Sequence, residues 1–237
     1  MFAGIAALCA TVAVADGTIE SQNIVGYQTT TARSGYTLFV PAFDDVGVEG
    51  LDIQNIKPNI NTTGVNIQTF TAQANGETMY YYVPAGKAGA GWYTRANGSA
   101  SSYASKTFAK GEGFMAYFPA SDDPITFNVA GEVSLTAKTL ENVRSGYTLM
   151  GNFRPTSYSI QKIVPATDTT GVNLQTFTAQ ANGETMYYYV PAGKAGAGWY
   201  TRANGSASSY ADKTFTAGEG FMIYLPSSMN VTFQAAE

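Results

Sequence analysis

The sequence predicts an all-β protein built as two tandem β-sandwich or small-barrel modules of about 110 residues each. A block of 58 residues, Thr62 to Pro119, returns 107 positions later as Thr169 to Pro226 with six substitutions. The chain has 16 Tyr, 13 Phe and 25 Gly in 237 residues, a composition typical of strands separated by turns. One structural unit has therefore been built twice.

The repeat also sets the expected boundaries. We predict a first module at 16–130 and a second at 131–237, after a separate leading segment at 1–15. The run Ser34 to Leu38 matches Ser145 to Leu149 at an offset of 111, which exceeds 107 by four. The first module thus holds four extra residues, which we place in the loop 44–50.

The leading segment, Met1 to Ala15, is uncharged and ends in Ala13-Val14-Ala15, which is typical of a signal-peptide cleavage site. Alternatives are a buried N-terminal strand or helix, or a pilin-like apolar helix. At about 15 residues it is too short for a stable membrane span. We expect an exported protein, extracellular or in the cell envelope.

Asn-Gly dipeptides predict the hairpins, because Asn and Gly accept the positive φ angles of tight turns. Asn75-Gly76, copied as Asn182-Gly183, separates the strand-like runs 65–71 and 78–83. Asn97-Gly98, copied as Asn204-Gly205, predicts a second hairpin in each module. We expect six to eight short strands per module, with frequent turns.

Further strands are expected where apolar residues alternate with polar ones, at 115–119, 125–129 and 133–137. Between the strands, Gly111-Glu112-Gly113-Phe114 and its copy at 218–221 predict a turn that fixes strand entry, with the Glu bonded to backbone amides or to a Lys. The Gly-rich segment 84–91 lacks the spacing of a phosphate loop and is expected to be a flexible loop.

Composition excludes several kinds of catalysis. The chain has no His, and its single cysteine, Cys9, lies in the leading segment, so Ser-His-Asp and Cys-His sites are excluded from the mature protein. Glycoside hydrolysis by two carboxylates stays open as an alternative, and its candidates are the following acids. They are Asp44, Asp45, Asp122, Asp123, Glu112 and Glu219. Adjacent Asp residues near Pro and Gly are more often turn residues.

We predict no metal and no cofactor. The Asp pairs could in principle collect Ca²⁺, but the calcium-loop spacing D-x-[DN]-x-[DN]-G does not occur. Nucleic acid is not an expected partner, because the net charge is -4 and no basic run is present.

Aromatic clusters are the main functional signal, since three successive tyrosines on a strand cannot all face one core. Exposed Tyr and Trp rings serve as interface anchors or as sugar-stacking platforms. The alternative is two rings in the core and one scattered on the surface. The interface or glycan-binding candidates are Tyr80, Tyr81, Tyr82, Trp92 and Tyr93, with their copies Tyr187, Tyr188, Tyr189, Trp199 and Tyr200.

A resemblance rests on Ser21-Gln22-Asn23-Ile24-Val25-Gly26-Tyr27, Ser34 to Leu38, Gly91-Trp92 and Gly111 to Phe114. In these landmarks the chain resembles exported, uncharacterised β-rich repeat proteins of the Verrucomicrobia–Planctomycetes group of bacteria. The resemblance implies a bacterial origin and an envelope or extracellular address. It transfers no residue role.

The segment 131–143 has no counterpart after the second module. If it completes the first module, the second has an open edge that another molecule's N-terminal strand could fill, and the strand-exchange candidates are Ile24, Val25 and Tyr27. If it completes the second module, no such edge exists.

From these observations we expect a non-catalytic structural protein, a subunit of a surface layer, extracellular fibre or matrix that associates with itself. The alternative is an adhesin or carbohydrate-binding module that uses Trp92, Tyr93 and their copies on glycans.

Overall fold

The computed structural model describes residues 25–32, 34–61, 63–70, 77–86, 88–98, 103–120, 125–133, 135–176, 185–206 and 210–235. These residues contain antiparallel strands and two short 3₁₀ turns, with no α-helix among them. The all-β prediction is confirmed. The sheets in this part of the chain are open, so they form sandwich-like layers and not a closed barrel.

Ten strands lie in the N-terminal half of the described residues. They are β1 (Val25–Ala32), β2 (Gly35–Phe39), β3 (Leu51–Asp52), β4 (Lys57–Pro58), β5 (Asn66–Phe70), β6 (Glu77–Gly86), β7 (Gly89–Tyr93), β8 (Thr107–Phe108), β9 (Phe114–Phe118) and β10 (Ile125–Glu132). They form a five-stranded sheet β2-β9-β5-β6-β7, a three-stranded sheet β1-β10-β4 and a pair β3-β8.

The C-terminal half repeats this arrangement. Its strands are β11 (Lys138–Val143), β12 (Gly146–Gly151), β13 (Tyr158–Ser159), β14 (Ile163–Pro165), β15 (Asn173–Thr176), β16 (Thr185–Gly193), β17 (Gly196–Tyr200), β18 (Thr214–Phe215), β19 (Gly220–Leu225) and β20 (Met229–Phe233). The sheets are β12-β19-β15-β16-β17, β11-β20-β14 and β13-β18. The count exceeds the expected six to eight because several strands are two residues long.

Each half has its own apolar core between its five-stranded and three-stranded sheets. In the N-terminal half the ring of Phe127, on β10, lies 5.2 Å from Phe39, 4.9 Å from Phe118 and 6.2 Å from Trp92, centroid to centroid. Because those three rings belong to the five-stranded sheet, Phe127 joins the two layers. Edge-to-face contacts of this kind add to the burial energy.

The second core contains a buried charge. Arg154 is 1% exposed, and its Nη2 donates to the carbonyl oxygens of Thr136 (2.8 Å) and Gln234 (2.9 Å). Its guanidinium carbon lies 5.0 Å from the centre of the Tyr158 ring. The Tyr158 hydroxyl donates to the same Gln234 carbonyl at 2.7 Å. Arg154 therefore ties the residues that precede β11 to those that follow β20.

Several predicted strands are confirmed. β5 and β6 pair antiparallel, with Phe70 opposite Glu77, as the Asn75-Gly76 dipeptide predicts. The dipeptide itself and its copy at 182–183 lie outside the described residues. β9 and β10 match the runs at 115–119 and 125–129, and β10 continues through Glu132, two residues past the predicted module boundary.

Two local predictions are wrong. The Gly-rich segment 84–91 is not a flexible loop, because β6 continues to Gly86, which pairs with Gly89 at the start of β7. A register shift between Val83 and Gly86 lets this hairpin include Pro84, which has no amide hydrogen for the ladder. The run 133–137 is not a strand either, and Leu135 is exposed there. The strand begins at Lys138.

The strand-exchange hypothesis is also corrected. β11 pairs with β20, so the segment after the first module completes the second module, and β20 has a neighbour on each side. β1 pairs along its full length with β10 of its own half, with Val25 opposite Glu132 and Tyr27 opposite Ala130. Ile24 lies outside the described residues. The open edge that motivated strand exchange is filled within the chain.

The two halves meet through equivalent backbone contacts. A Cβ added at Gly113 would lie 2.9 Å from the carbonyl carbon of Leu149, and one at Gly220 would lie 2.8 Å from that of Leu38. Leu38 and Leu149 are counterparts in the repeat, as are Gly113 and Gly220. Each half therefore contributes one glycine and one leucine to the contact with the other half. Glycine is required at both positions, because a side chain there would clash with the backbone of the opposite leucine.

We expect Gly220→Ala to lower the free energy of unfolding by about 1–3 kcal/mol, because the added methyl group must displace backbone and not a flexible side chain. Gly113→Ala makes the equivalent contact and should have a similar effect. Urea denaturation of the full chain measures both. The exposed Thr214→Ala is the control, with an expected change under about 0.5 kcal/mol. Equal stability of wild type and both glycine variants would contradict the close backbone approach.

Candidate functional site

A row of tyrosines crosses the outer face of each five-stranded sheet. Residues directly opposite each other on antiparallel strands project to the same face. In the N-terminal half the row, one residue per strand, is Tyr36, Tyr117, Asn66, Tyr81 and Tyr93. In the C-terminal half it is Tyr147, Tyr224, Asn173, Tyr188 and Tyr200. We call these rows the N-terminal and C-terminal tyrosine faces.

The rings at one end of each face are open to solvent. Tyr36 is 53% exposed and Tyr147 is 46% exposed, while their neighbours Tyr117 and Tyr224 are half-buried. The two rings in each pair lie 5.1 Å apart, centroid to centroid, and are tilted to one another. Each face thus begins with a tyrosine pair whose outer ring is free to contact a partner.

Amide side chains lie beside the rings. Gln68 Nε2 donates to the Tyr36 hydroxyl and to Asn66 Oδ1, both at 3.3 Å. Gln175 makes the same two bonds to Tyr147 (3.3 Å) and Asn173 (3.5 Å). Gln68 and Gln175 are buried in the neighbouring row of the same face, so they orient the exposed hydroxyl and the Asn side chain.

The other end of the N-terminal face is covered by a second ring. Tyr93 is fully buried because Tyr103 packs edge-on against it, with centroids 5.1 Å apart. The Tyr93 hydroxyl accepts from the Ala88 amide (3.0 Å) and donates to the Gly89 carbonyl (2.9 Å), which holds the tip of the β6–β7 hairpin. Tyr103 is exposed and continues the aromatic surface.

The C-terminal half repeats this cover. Tyr210 lies 5.1 Å from Tyr200, and the Tyr200 hydroxyl bonds to Ala195 and Gly196.

Most of the sequence-predicted candidates lie elsewhere. Trp92 and Trp199 are 0% exposed, and Tyr82 and Tyr189 are buried against them. Tyr80 and Tyr187 pack against the cores. An exposed platform made of Trp92, Tyr93 and their copies is therefore wrong, because β7 and β17 point their Trp inward. Tyr81 and Tyr188 do lie on the outer faces.

Each tryptophan is held by a glutamine. Gln54 Oε1 accepts from the Trp92 amide (2.9 Å), and Gln54 Nε2 donates to the carbonyls of Trp92 (3.0 Å) and Ala104 (2.8 Å). The Trp92 indole donates to the Ile56 carbonyl at 2.7 Å. Beyond β7, the last strand of its sheet, the segment 103–104 forms a bridge to Tyr93 and a bond from the Ala104 amide to the Trp92 carbonyl (2.9 Å). The Gln54 amide lies between this segment and β7 and completes the edge by pairing the Trp92 amide and the Ala104 carbonyl. Gln161 makes the same three bonds around Trp199.

The acidic side chains considered as catalytic candidates form hydrogen bonds and ion pairs that stabilise loops. Asp44 accepts from the Gly50 amide at 3.0 Å and forms an ion pair with Lys110, and Asp45 accepts from the Asp52 amide (2.9 Å) and from Asn55 (2.7 Å). These bonds shape the loop 44–50, where the extra residues of the first half were expected.

The glutamates of the two Gly-Glu-Gly-Phe segments hold their turns, as predicted. Glu112 binds Lys106 (2.6 Å) and accepts from the Ala109 amide (3.0 Å). Glu219 binds Lys213 (2.5 Å) and the Thr216 amide (2.9 Å). Asp122 and Asp123 lie outside the described residues. Within the described ranges, no three His, Cys, Asp or Glu side chains are grouped as metal ligands.

Apolar helices of membrane-spanning length do not occur in the part of the chain that the structure describes.

Burial raises the pKa of several inward-facing tyrosines. Loss of solvent raises the pKa of Tyr158 to about 12, although the positive charge of Arg154 partly opposes the shift. Burial also raises the pKa of Tyr82 and Tyr189, and that of Tyr80, where the negative charge of Glu112 adds to the effect. These phenols stay protonated over the physiological range.

Two features were missed by sequence reasoning. The faces begin at Tyr36 and Tyr147, in the Ser-Gly-Tyr-Thr-Leu run that occurs in both halves and was used only to align them. Gln54 and Gln161 lie in Ile53-Gln54-Asn55-Ile56-Lys57-Pro58 and its copy at 160–165, also 107 positions apart. Extending the repeat upstream of Thr62 would have found both glutamines.

No protein-family model, curated protein or solved structure matches this chain. The tyrosine faces have to be interpreted from their own chemistry.

We expect Gln54→Ala to cost about 2 kcal/mol of unfolding free energy, because it leaves the Trp92 amide and the Ala104 carbonyl without their bond to the side chain. Gln161→Ala should cost a similar amount, since its contacts are the same. Gln54→Glu keeps the acceptor and the shape but removes the donor. Urea denaturation should therefore place it between wild type and Gln54→Ala, and no loss in either alanine variant would contradict the edge-closing role.

We expect the protein to lose stability in alkali. The unfolded pKa of tyrosine is about 10, and that of Tyr158 in the fold is about 12. Since the folded value is the higher one, this contribution is fully present below pH about 10 and is lost as pH rises through about 12. Urea midpoints measured from pH about 8 to about 12, with tyrosinate absorbance, test this. A urea midpoint that stays constant over the whole range would contradict it.

Proposed function

We propose that this protein is an exported, non-catalytic structural protein of a surface layer, fibre or extracellular matrix, which holds its target at two equivalent sites. The sites are the N-terminal and C-terminal tyrosine faces. The observation that carries the proposal is the same Tyr-Tyr-Asn-Tyr-Tyr row, in the same strand register, in both halves.

A structural role is favoured over catalysis by what the repeat duplicates. It duplicates the sheets, the glutamine-held tryptophans and the tyrosine faces. The described acids that were candidates for catalysis form loop hydrogen bonds and ion pairs, as Asp44 does with Lys110 and Glu112 with Lys106. Enzymes need one asymmetric set of groups, whereas two copies of one face benefit a protein that links or grips an extended target.

Two equivalent sites on one chain give avidity. Once the first face has bound, the second binds as an intramolecular event, and the combined affinity exceeds that of one face by a factor on the order of 10² to 10⁴ when both can reach the target. The target is either other copies of the chain, giving a polymer or lattice, or glycans of the surrounding matrix. Export rests on the apolar leading segment 1–15, which lies outside the described residues.

The test measures retention of the full chain on a panel of extracellular materials. The panel contains the protein itself immobilised on a sensor, cellulose, chitin and bacterial cell-wall sacculi. We compare wild type with Tyr36→Ser, Tyr147→Ser and the double variant, after circular dichroism has confirmed that each folds. Tyr27→Ser is the matched control, because Tyr27 is equally exposed but lies on the other sheet.

We expect wild type and Tyr27→Ser to be retained on at least one material. Each single-face variant should dissociate at least about tenfold faster, and the double variant should not be retained. Retention of wild type on none of these materials, or equal retention of the double variant, would remove the proposed function.

A further inference from the structure

We propose that the target of the tyrosine faces is a neutral, extended polysaccharide that lies across the strands, with one chain segment on each face. This inference rests on the proposed function and names the substrate class of the same two sites. Three properties of the faces lead to it: the lack of charge in their central rows, their mixture of rings with amides, and their open linear shape.

The two central rows of each face carry no charged residue, and Glu77, opposite Phe70, lies one row further along the N-terminal face. The row next to the tyrosines, two residues along each strand, consists of Leu38, Met115, Gln68 and Met79. The C-terminal half has Leu149, Met222, Gln175 and Met186 there. A site for an acidic polymer, a charged peptide or a phosphate would carry Lys or Arg. The partner that matches an uncharged face is itself uncharged.

Each row has one amide side chain at its centre, between two pairs of rings. Sugar rings present an apolar C–H face together with a rim of hydroxyl groups, so they need a ring to stack on and nearby hydrogen-bonding groups. Tyr36 and Tyr117 supply rings on one side of Asn66, and Tyr81 supplies one on the other. Asn66 Oδ1 already accepts from Gln68, so its amide nitrogen is the group offered to a ligand. The core of a protein–protein interface is more fully apolar and dry.

The shape of the face suits a long ligand. Because Tyr93 is buried, four strands about 4.8 Å apart give an accessible row about 14 Å long from Tyr36 to Tyr81, which Tyr103 extends. The row is a sheet surface and not an enclosed cleft, so it contacts an extended chain along its length. By contrast, a small cavity between Gln28, Phe39 and Val40 has a volume of about 20 Å³. It has room for about one water molecule and is far too small for a sugar.

The experiment measures depletion of the full chain from solution by insoluble cellulose, xylan, mannan and chitin, all neutral. Cross-linked polygalacturonate, which is acidic, and beads carrying the protein itself are measured in parallel. The variants are Tyr36→Ser with Tyr147→Ser, and Asn66→Asp with Asn173→Asp. The aspartates keep the size of the asparagines but remove the amide donors. Tyr27→Ser is the control.

We expect wild type and Tyr27→Ser to bind at least one neutral polysaccharide and to bind polygalacturonate at least tenfold more weakly. Both double variants should lose at least tenfold in affinity for the neutral polymer while melting like wild type. Bound polymer should also quench tyrosine fluorescence in wild type but not in the Tyr36→Ser, Tyr147→Ser protein.

Three results overturn the inference. Binding to protein-coated beads but to none of the neutral polysaccharides would leave the proposed function standing with another copy of the chain as its target. Stronger binding to polygalacturonate would make the target acidic. Binding to none of the six materials would remove the inference, and the proposed function would then stand only if the bacterial sacculi retain the protein.

Discussion

Each half depends on the hydrogen bonds between a glutamine side chain and the backbone of a tryptophan. Trp92 lies on the last strand of a five-stranded sheet, where its carbonyl also accepts from the Ala104 amide and its own amide is paired by Gln54. Gln54 pairs with both groups, and the indole nitrogen donates to Ile56, so the strand edge and the ring are fixed together. This edge of the sheet is therefore paired within the chain.

The two-residue period of a strand then divides the aromatic residues between core and surface. Tyr82 and Trp92 are opposite one another and point inward, which sends Tyr81 and Tyr93 outward. The same geometry places Phe118 in the core and Tyr117 on the face, next to Tyr36. Large rings fill the core at every second position of these strands. The positions between them face outward, and tyrosines occupy several of those positions. The strands that form the core therefore also carry the tyrosine faces that we propose as binding sites.

Much of the fold was predictable because its signals are local. The Asn-Gly dipeptide identified the β5–β6 hairpin, and Gly111-Glu112-Gly113-Phe114 identified a turn held by its glutamate. It was harder to predict which ring of Tyr80-Tyr81-Tyr82 faces outward, because this depends on which residues pair across the sheet. Contacts between residues distant in sequence were the hardest to predict. Gln54 closes an edge formed 38 residues later, and β11 finds β20 about 90 residues away.

The glycines at 113 and 220 have a consequence for the spacing of the two faces. Two domains joined by a flexible linker reach their targets over a range of distances, and the linker sets the effective concentration of the second site. Here the halves touch backbone to backbone, with no side chain between Gly113 and Leu149 or between Gly220 and Leu38. These backbone contacts then set the distance between the two faces. A target whose repeat matches that length gains the full benefit of two sites, and one with a different repeat is held by a single face.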